Sequence, residues 1–152
     1  MLQSLLTHLV SPHSPEPFSF VPSPVPEAPL TRCLVVSDNA MHRITLEHYV
    51  ALSGGLRLVA SLCDGVEAYD YLQRGGEVDL VILDLSSAGL HPDDIRSVTH
   101  GGRPRWLMIE QMGNIPSFSG QAPADGRLPQ PLCFSRFGQL VGQVLGQRPA
   151  TA

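Results

Sequence analysis

The chain has 152 residues and a formal net charge of −4. That is length enough for one domain with a buried core, and it lacks the basic field that nucleic-acid binding by phosphate neutralisation requires. Three widely spaced cysteines, Cys33, Cys63 and Cys133, form no CxxC pair; they suit a reducing compartment and small apolar core positions better than a disulfide framework. No apolar run approaches the roughly 20 residues of a membrane span. The Leu2–Val10 stretch has neither the basic start nor the cleavage site of a signal peptide. A cytoplasmic protein with no membrane or nucleic-acid partner is expected.

Leu2, Leu5, Leu6 and Leu9 recur at i, i+3, i+4 and i+7, an amphipathic helical spacing that is too short to hold alone. Ser11 to Leu30 then carries seven of the 14 prolines. Such a stretch supports neither a helix nor a strand ladder, so residues 1–30 read as a flexible, proline-rich arm. From Thr31 the composition changes, and residues 31–147 read as one domain followed by a short tail, 148–152.

Arg32–Ser37 (RCLVVS) predicts a first strand that runs into Asp38. A helix is expected from Asn39 to about Leu52, with Leu46, Tyr49 and Val50 on one face and Ser53, Gly54 and Gly55 ending it. Leu56–Ser61 predicts the second strand. Asp64, with Glu67 three residues on, has the spacing of a capping box; the helix it opens should bury Ala68, Tyr69 and Leu72 and stop at Gly75 and Gly76. Leu80, Val81, Ile82 and Leu83 form a continuous apolar run, the pattern of a central strand covered on both faces. It ends on Asp84, where an open α/β sheet places its ligand crevice.

Pro92 suits the first position of a short helix to about Thr99, and Arg105–Glu110 (RWLMIE) predicts a fourth strand with Trp106 in its packing. Strands alternating with helices at this pitch imply a parallel sheet with right-handed crossovers. From Gln111 to Gln130, prolines and glycines occupy the place of another crossover helix, which is expected to be eroded to a loop. A weak edge strand is expected over Arg127–Pro131. Phe137, Leu140, Val141, Val144 and Leu145 then mark an amphipathic helix ending near Gly146.

Other motifs carry less. The six histidines form no HxxxH or HExxH, and His42 and His48 are spaced for different helix faces, so solvated or core roles are expected for them. Ser86 and Ser87 lie in no GxSxG elbow, and no glycine-rich nucleotide loop follows a strand. Gly138, Gly142 and Gly146 line one stripe of the last helix at i, i+4 and i+8, where another helix could approach closely.

Four features in order give the chain a resemblance to the receiver (CheY-like) domain of two-component response regulators: VVSDN (Val35–Asn39) followed by a helix with Arg43, SLCDGVEAYDYL (Ser61–Leu72), VDLVILDLSSAG (Val78–Gly89), and an amphipathic helix after Gln130–Pro131. The resemblance implies a flavodoxin-like, doubly wound parallel sheet of five strands in the order 2-1-3-4-5. It also implies phosphoryl acceptance on Asp84, with Mg²⁺ held by Asp38, Asp84 and the backbone carbonyl of Ser86. Three positions depart from the family pattern. Ser37 stands for the first acid of the acidic pair, Glu110, within one residue of alignment, for a Thr or Ser, and Gln130 for a Lys.

Phosphoryl transfer to a carboxylate needs cations to offset the charge that gathers in the transition state. The Lys is missing, and a carboxylate at Glu110 about 5 Å from Asp84 would add roughly 3 kcal/mol of repulsion at an effective dielectric near 20. The expected function is therefore a stand-alone, degenerate receiver-like signalling module rather than an enzyme. It would act by binding a protein such as a histidine kinase or a downstream regulator, with weak or no Mg²⁺ binding and with homodimerisation left open. The alternatives are a phosphorylatable single-domain response regulator and a small metal-dependent α/β enzyme.

Overall fold

Leu80–Asp84 forms strand β3, and all five of its residues are buried, as the unbroken apolar run requires. The structure, a computed structural model, describes residues 22–25, 27–84, 94, 104–110 and 124–146. The Leu2–Val10 segment, most of the proline-rich arm, Ser86, the Pro92–Thr99 helix apart from Asp94, and residues 111–123 of the expected loop lie outside them. Pro22–Val25 and Glu27–Leu30 are exposed and belong to no helix or strand.

The remaining elements are β1 (Thr31–Ser37), α1 (Ala40–Leu52), β2 (Leu56–Leu62), α2 (Gly65–Gln73), β4 (Arg105–Ile109), β5 (Gly126–Leu128) and α3 (Phe134–Gly146). The five strands form one sheet in the order β2-β1-β3-β4-β5, and every pairing is parallel. The edge strand expected over Arg127–Pro131 instead spans Gly126–Leu128, since Pro129 and Pro131 have no N–H to extend the ladder. Among the described residues no helix is long and apolar enough to cross a membrane.

Alternation along the strands divides the core between the two sheet faces. Cys33, Val35, Leu80, Ile82 and Leu107 face α1 and α3, where they meet Leu46, Val50 and Phe137. Leu34, Val36, Val81, Leu83 and Trp106 face α2, with Ala68 and Leu72. Each fully buried Leu, Ile or Phe contributes about 1.5–3 kcal/mol relative to exposure. Trp106, 4% exposed, is a packing residue, as the strand pattern implies. The cysteines divide: Cys33 is buried, whereas Cys63 and Cys133 are exposed, contrary to the core role expected of all three. Cys63 falls in the turn before α2 and Cys133 just before α3, where no sheet face covers them.

Helix ends follow the cap chemistry. The Asn39 side chain accepts from the amides of Met41 and His42 at the start of α1. Asp64 Oδ1 accepts from Glu67 N at 2.8 Å, while the Glu67 carboxylate returns to the amide of Cys63 at 3.1 Å, one residue earlier than in a standard capping box. Past α2, Gly75 N donates to Leu72 O and Gly76 N to Tyr71 O, the paired bonds of a Schellman ending. The φ of +85° at Gly75 is why a glycine stands there.

Candidate functional site

The order of strands reverses between β1 and β3, and in open α/β sheets the crevice at such a switch point receives the ligand. At the carboxyl ends of these strands Ser37 pairs directly with Asp84. Of the two acids named for Mg²⁺, Asp38 is thus not level with Asp84: Ser37 is the residue opposite Asp84, and Asp38 follows it, partly exposed.

Asp84 is 1% exposed, which is costly for a carboxylate unless it is hydrogen-bonded. Ser37 Oγ donates to Asp84 Oδ2 at 2.8 Å. The same hydroxyl lies 3.0 Å from Asn39 O, but its single hydrogen goes to the carboxylate, the stronger acceptor at the shorter distance. The second partner is His42, whose Nδ1 lies 2.7 Å from the same Oδ2.

The local sequence explains how His42 arrives there. With Asn39 as cap, His42 occupies the third position of α1, and its amide is held by Asn39 Oδ1 at 3.2 Å. Side chains of a first turn lean back toward the helix N-terminus, here toward the strand ends. The ring is 25% exposed, so one edge meets solvent while the other meets Asp84. Arg43, next in the turn, donates from Nη1 to Ser37 O at 3.1 Å.

His42 is therefore neither solvated nor a core residue, as the spacing argument expected, but a partner of the central carboxylate. Comparison with metal-binding motifs could not find it, because its partner lies 42 residues away. Its place in the first turn after a strand-ending Ser-Asp was the usable signal.

The other site residues are more dispersed. Continuing the β3–β4 register, in which Leu83 pairs with Met108, sets Ile109 level with Asp84. Glu110 lies one residue further on, exposed, with its amide bonded to Leu128 O at 2.8 Å. The repulsion anticipated from a carboxylate level with Asp84 therefore loses its footing, since an apolar side chain takes that level. Gln130 is half-buried before a cis peptide to Pro131, and its Nε2 is buried with no hydrogen-bond partner among the described residues. Ser86 lies outside the described residues. Gly138, Gly142 and Gly146 are exposed, and a Cβ at any of them would meet nothing within 4 Å, so they do not serve packing against the sheet.

A divalent cation of the Mg²⁺ type wants carboxylate oxygens converging on one point. Among the described residues, the side chains that group closely enough to share a metal are Cys63, Asp64 and Glu67, and their contacts are those of the α2 cap. Asp38, His42 and Asp84 form no such group. Ser37 and His42 instead converge on one oxygen of Asp84, Oδ2, which a cation at this site would need.

This topology, with an acid at the end of the third strand, is the flavodoxin-like fold of response regulator receiver (CheY-like) domains. Solved structures with the same fold include the signal receiver domain of the Mycobacterium tuberculosis protein NarL, at 21% identity and a TM-score of 0.66, covering 80% of this chain and 100% of that one. A chain in the complex of the CheA3 P1 domain with CheY6 from R. sphaeroides matches at 20% identity and a TM-score of 0.65, covering 78% and 99%. A chain in the CheX–CheY–BeF3–Mg²⁺ complex from Borrelia burgdorferi matches at 21% and 0.61, covering 76% and 89%. No protein-family model matches the sequence, and no curated protein matches it.

Proposed function

We propose that this chain is a receiver-like signalling module of two-component type that works by binding another protein, with its acceptor carboxylate closed to phosphoryl transfer. The observation that carries the reading is the state of Asp84: 1% exposed, with Oδ2 taken by Ser37 and His42. An acceptor must present a carboxylate oxygen to the phosphodonor while cations gather charge around it. Here that oxygen faces inward onto two donors of the chain itself, and Gln130 supplies no charge at the Lys position.

Two of the structural relatives are solved as complexes between CheY-type chains and other proteins, which supports a partner of that kind, a histidine kinase or a downstream regulator, for this chain. The exposed stripe of Gly138, Gly142 and Gly146 on α3 offers such a partner a close backbone approach. The reading carries with it a cytoplasmic location and no catalytic turnover.

The test is the intact mass of the full chain after incubation with acetyl phosphate and Mg²⁺, beside an Asp84→Asn control. The mass should stay unmodified. A stoichiometric gain of one phosphoryl group that disappears in Asp84→Asn would overturn the reading in favour of a phosphorylatable response regulator, the reading that the position of Asp84 at the end of β3 favours.

A further inference from the structure

We propose that His42 is a built-in latch on Asp84: its Nδ1–H, together with the Ser37 hydroxyl, takes the carboxylate oxygen that a divalent cation would need. The proposal rests on the reading of Asp84 as a closed site and adds what closes it. The latch assigns the ring proton to Nδ1, 2.7 Å from the carboxylate oxygen Oδ2.

Three further observations make the latch a property of the fold rather than of one rotamer. The ring is carried on a turn whose amides at Met41 and His42 are tied to Asn39 Oδ1 at 3.0 and 3.2 Å. The β1 end against which it closes is tied from the same turn, by Arg43 on Ser37 O. The second donor, Ser37 Oγ, also accepts the amide of Asn39 at 3.2 Å, which ties the hydroxyl to the same turn. Mg²⁺ binds through carboxylates and waters and demands near-octahedral room, and it must first displace a ring N–H held 2.7 Å from Oδ2.

His42→Ala removes the latch and leaves Asp38 and Asp84 in place. Calorimetric titration of the full chain with Mg²⁺ alone should show binding at least tenfold tighter in His42→Ala than in the unaltered protein. That gain should vanish in His42→Ala/Asp84→Asn, and Mg²⁺ should raise the thermal midpoint of His42→Ala only. His42→Asn, whose amide N–H stands where Nδ1 does along the side chain, should behave like the unaltered chain. Equal Mg²⁺ affinity in His42→Ala and the unaltered chain would overturn the proposal.

Should His42→Ala fail to fold, nitrogen NMR of the imidazole in the unaltered protein decides. A protonated Nδ1 whose resonance ignores millimolar Mg²⁺ supports the latch, and an unprotonated Nδ1 overturns it. The two proposals fail separately. A chain that is phosphorylated, yet still gains Mg²⁺ affinity on losing His42, sinks the interaction-only reading and keeps the latch. An unphosphorylated chain with no such gain does the reverse.

Discussion

At one end of the β1–β3 pair Arg32 meets Asp79, and at the other Ser37 meets Asp84, both pairs 47 residues apart in sequence. At the first end the Arg32 guanidinium bonds Asp79 through Nε at 2.9 Å and Nη2 at 3.0 Å, its backbone amide adds a third bond at 2.8 Å, and Glu77 pairs with Nη1. That carboxylate is 40% exposed and meets a permanent cation. At the other end the carboxylate is buried, and its partners are a hydroxyl and an imidazole. One register thus carries two different devices: a solvated clamp that aligns the strand starts, and a buried carboxylate held by a hydroxyl and an imidazole. Water screens the first and hardly reaches the second, so the same loss should cost far more at the buried end.

That difference can be broken most forcefully at His42. His42→Leu removes a hydrogen bond to a buried charged group and should lower the unfolding free energy by about 2–3 kcal/mol. Adding Asp84→Leu should return most of the loss, because the charge that needed a partner is gone; urea midpoints of the two variants check both statements.

A smaller effect is expected at the clamp, where pH and salt sharpen the contrast. Hydrogen bonds from Arg32 hold the Asp79 carboxyl below its ordinary value of 3.8, against an opposing effect of burial. A depressed folded-state value means that the unfolded chain takes up the proton first. The clamp's contribution is therefore complete above the ordinary value and is lost as pH falls through the folded one. The stability gap between the unaltered chain and Asp79→Asn should be constant from neutral pH down to about pH 5, shrink through the window below it, and shrink at every pH when salt is added.

The smallest signal is chemical. Burial pushes the Cys33 thiol up to about 12, so it should resist alkylation until the sheet unfolds. Of the two exposed thiols, Cys133 is lowered by its hydrogen bond with Ser135, and Cys63 is raised by its hydrogen bond to Glu67. Cys133 should react first at neutral pH, as mass-resolved alkylation would show.

The strands were legible because their apolar runs are continuous and their ends are punctuated. Leu80–Leu83 reads as a strand covered on both faces, and Gly75–Gly76 as the end of a helix. Asp84 was legible for the same reason, since a parallel strand presents its last residue to the crevice. What escaped depended on register between distant segments. Whether Glu110 or Ile109 stands level with Asp84 turns on a one-residue shift that an apolar run such as Trp106–Ile109 does not specify. His42 escaped because a single histidine carries no periodic signal, and its role is set by where the first turn of α1 lands. The clamp had a readable cue: an arginine at the start of one central strand and an aspartate at the start of its neighbour.

Two of the contacts that hold helix α1 lie toward opposite ends of its 13 residues, a length of about 20 Å. Near its start lies the contact with Asp84; further along, the Tyr49 hydroxyl donates to Leu132 O at 3.2 Å, and the Tyr49 ring sits 5.3 and 5.5 Å from those of Phe134 and Phe137. A beam clamped twice resists tilting, because lifting one end prises at the other. Freeing Asp84 by moving the whole helix would break the seam with α3, whereas turning the imidazole about its own bonds breaks nothing else. The smaller motion at this site is thus the turning of one side chain, which must break its 2.7 Å contact with Asp84 but leaves the helix where it is.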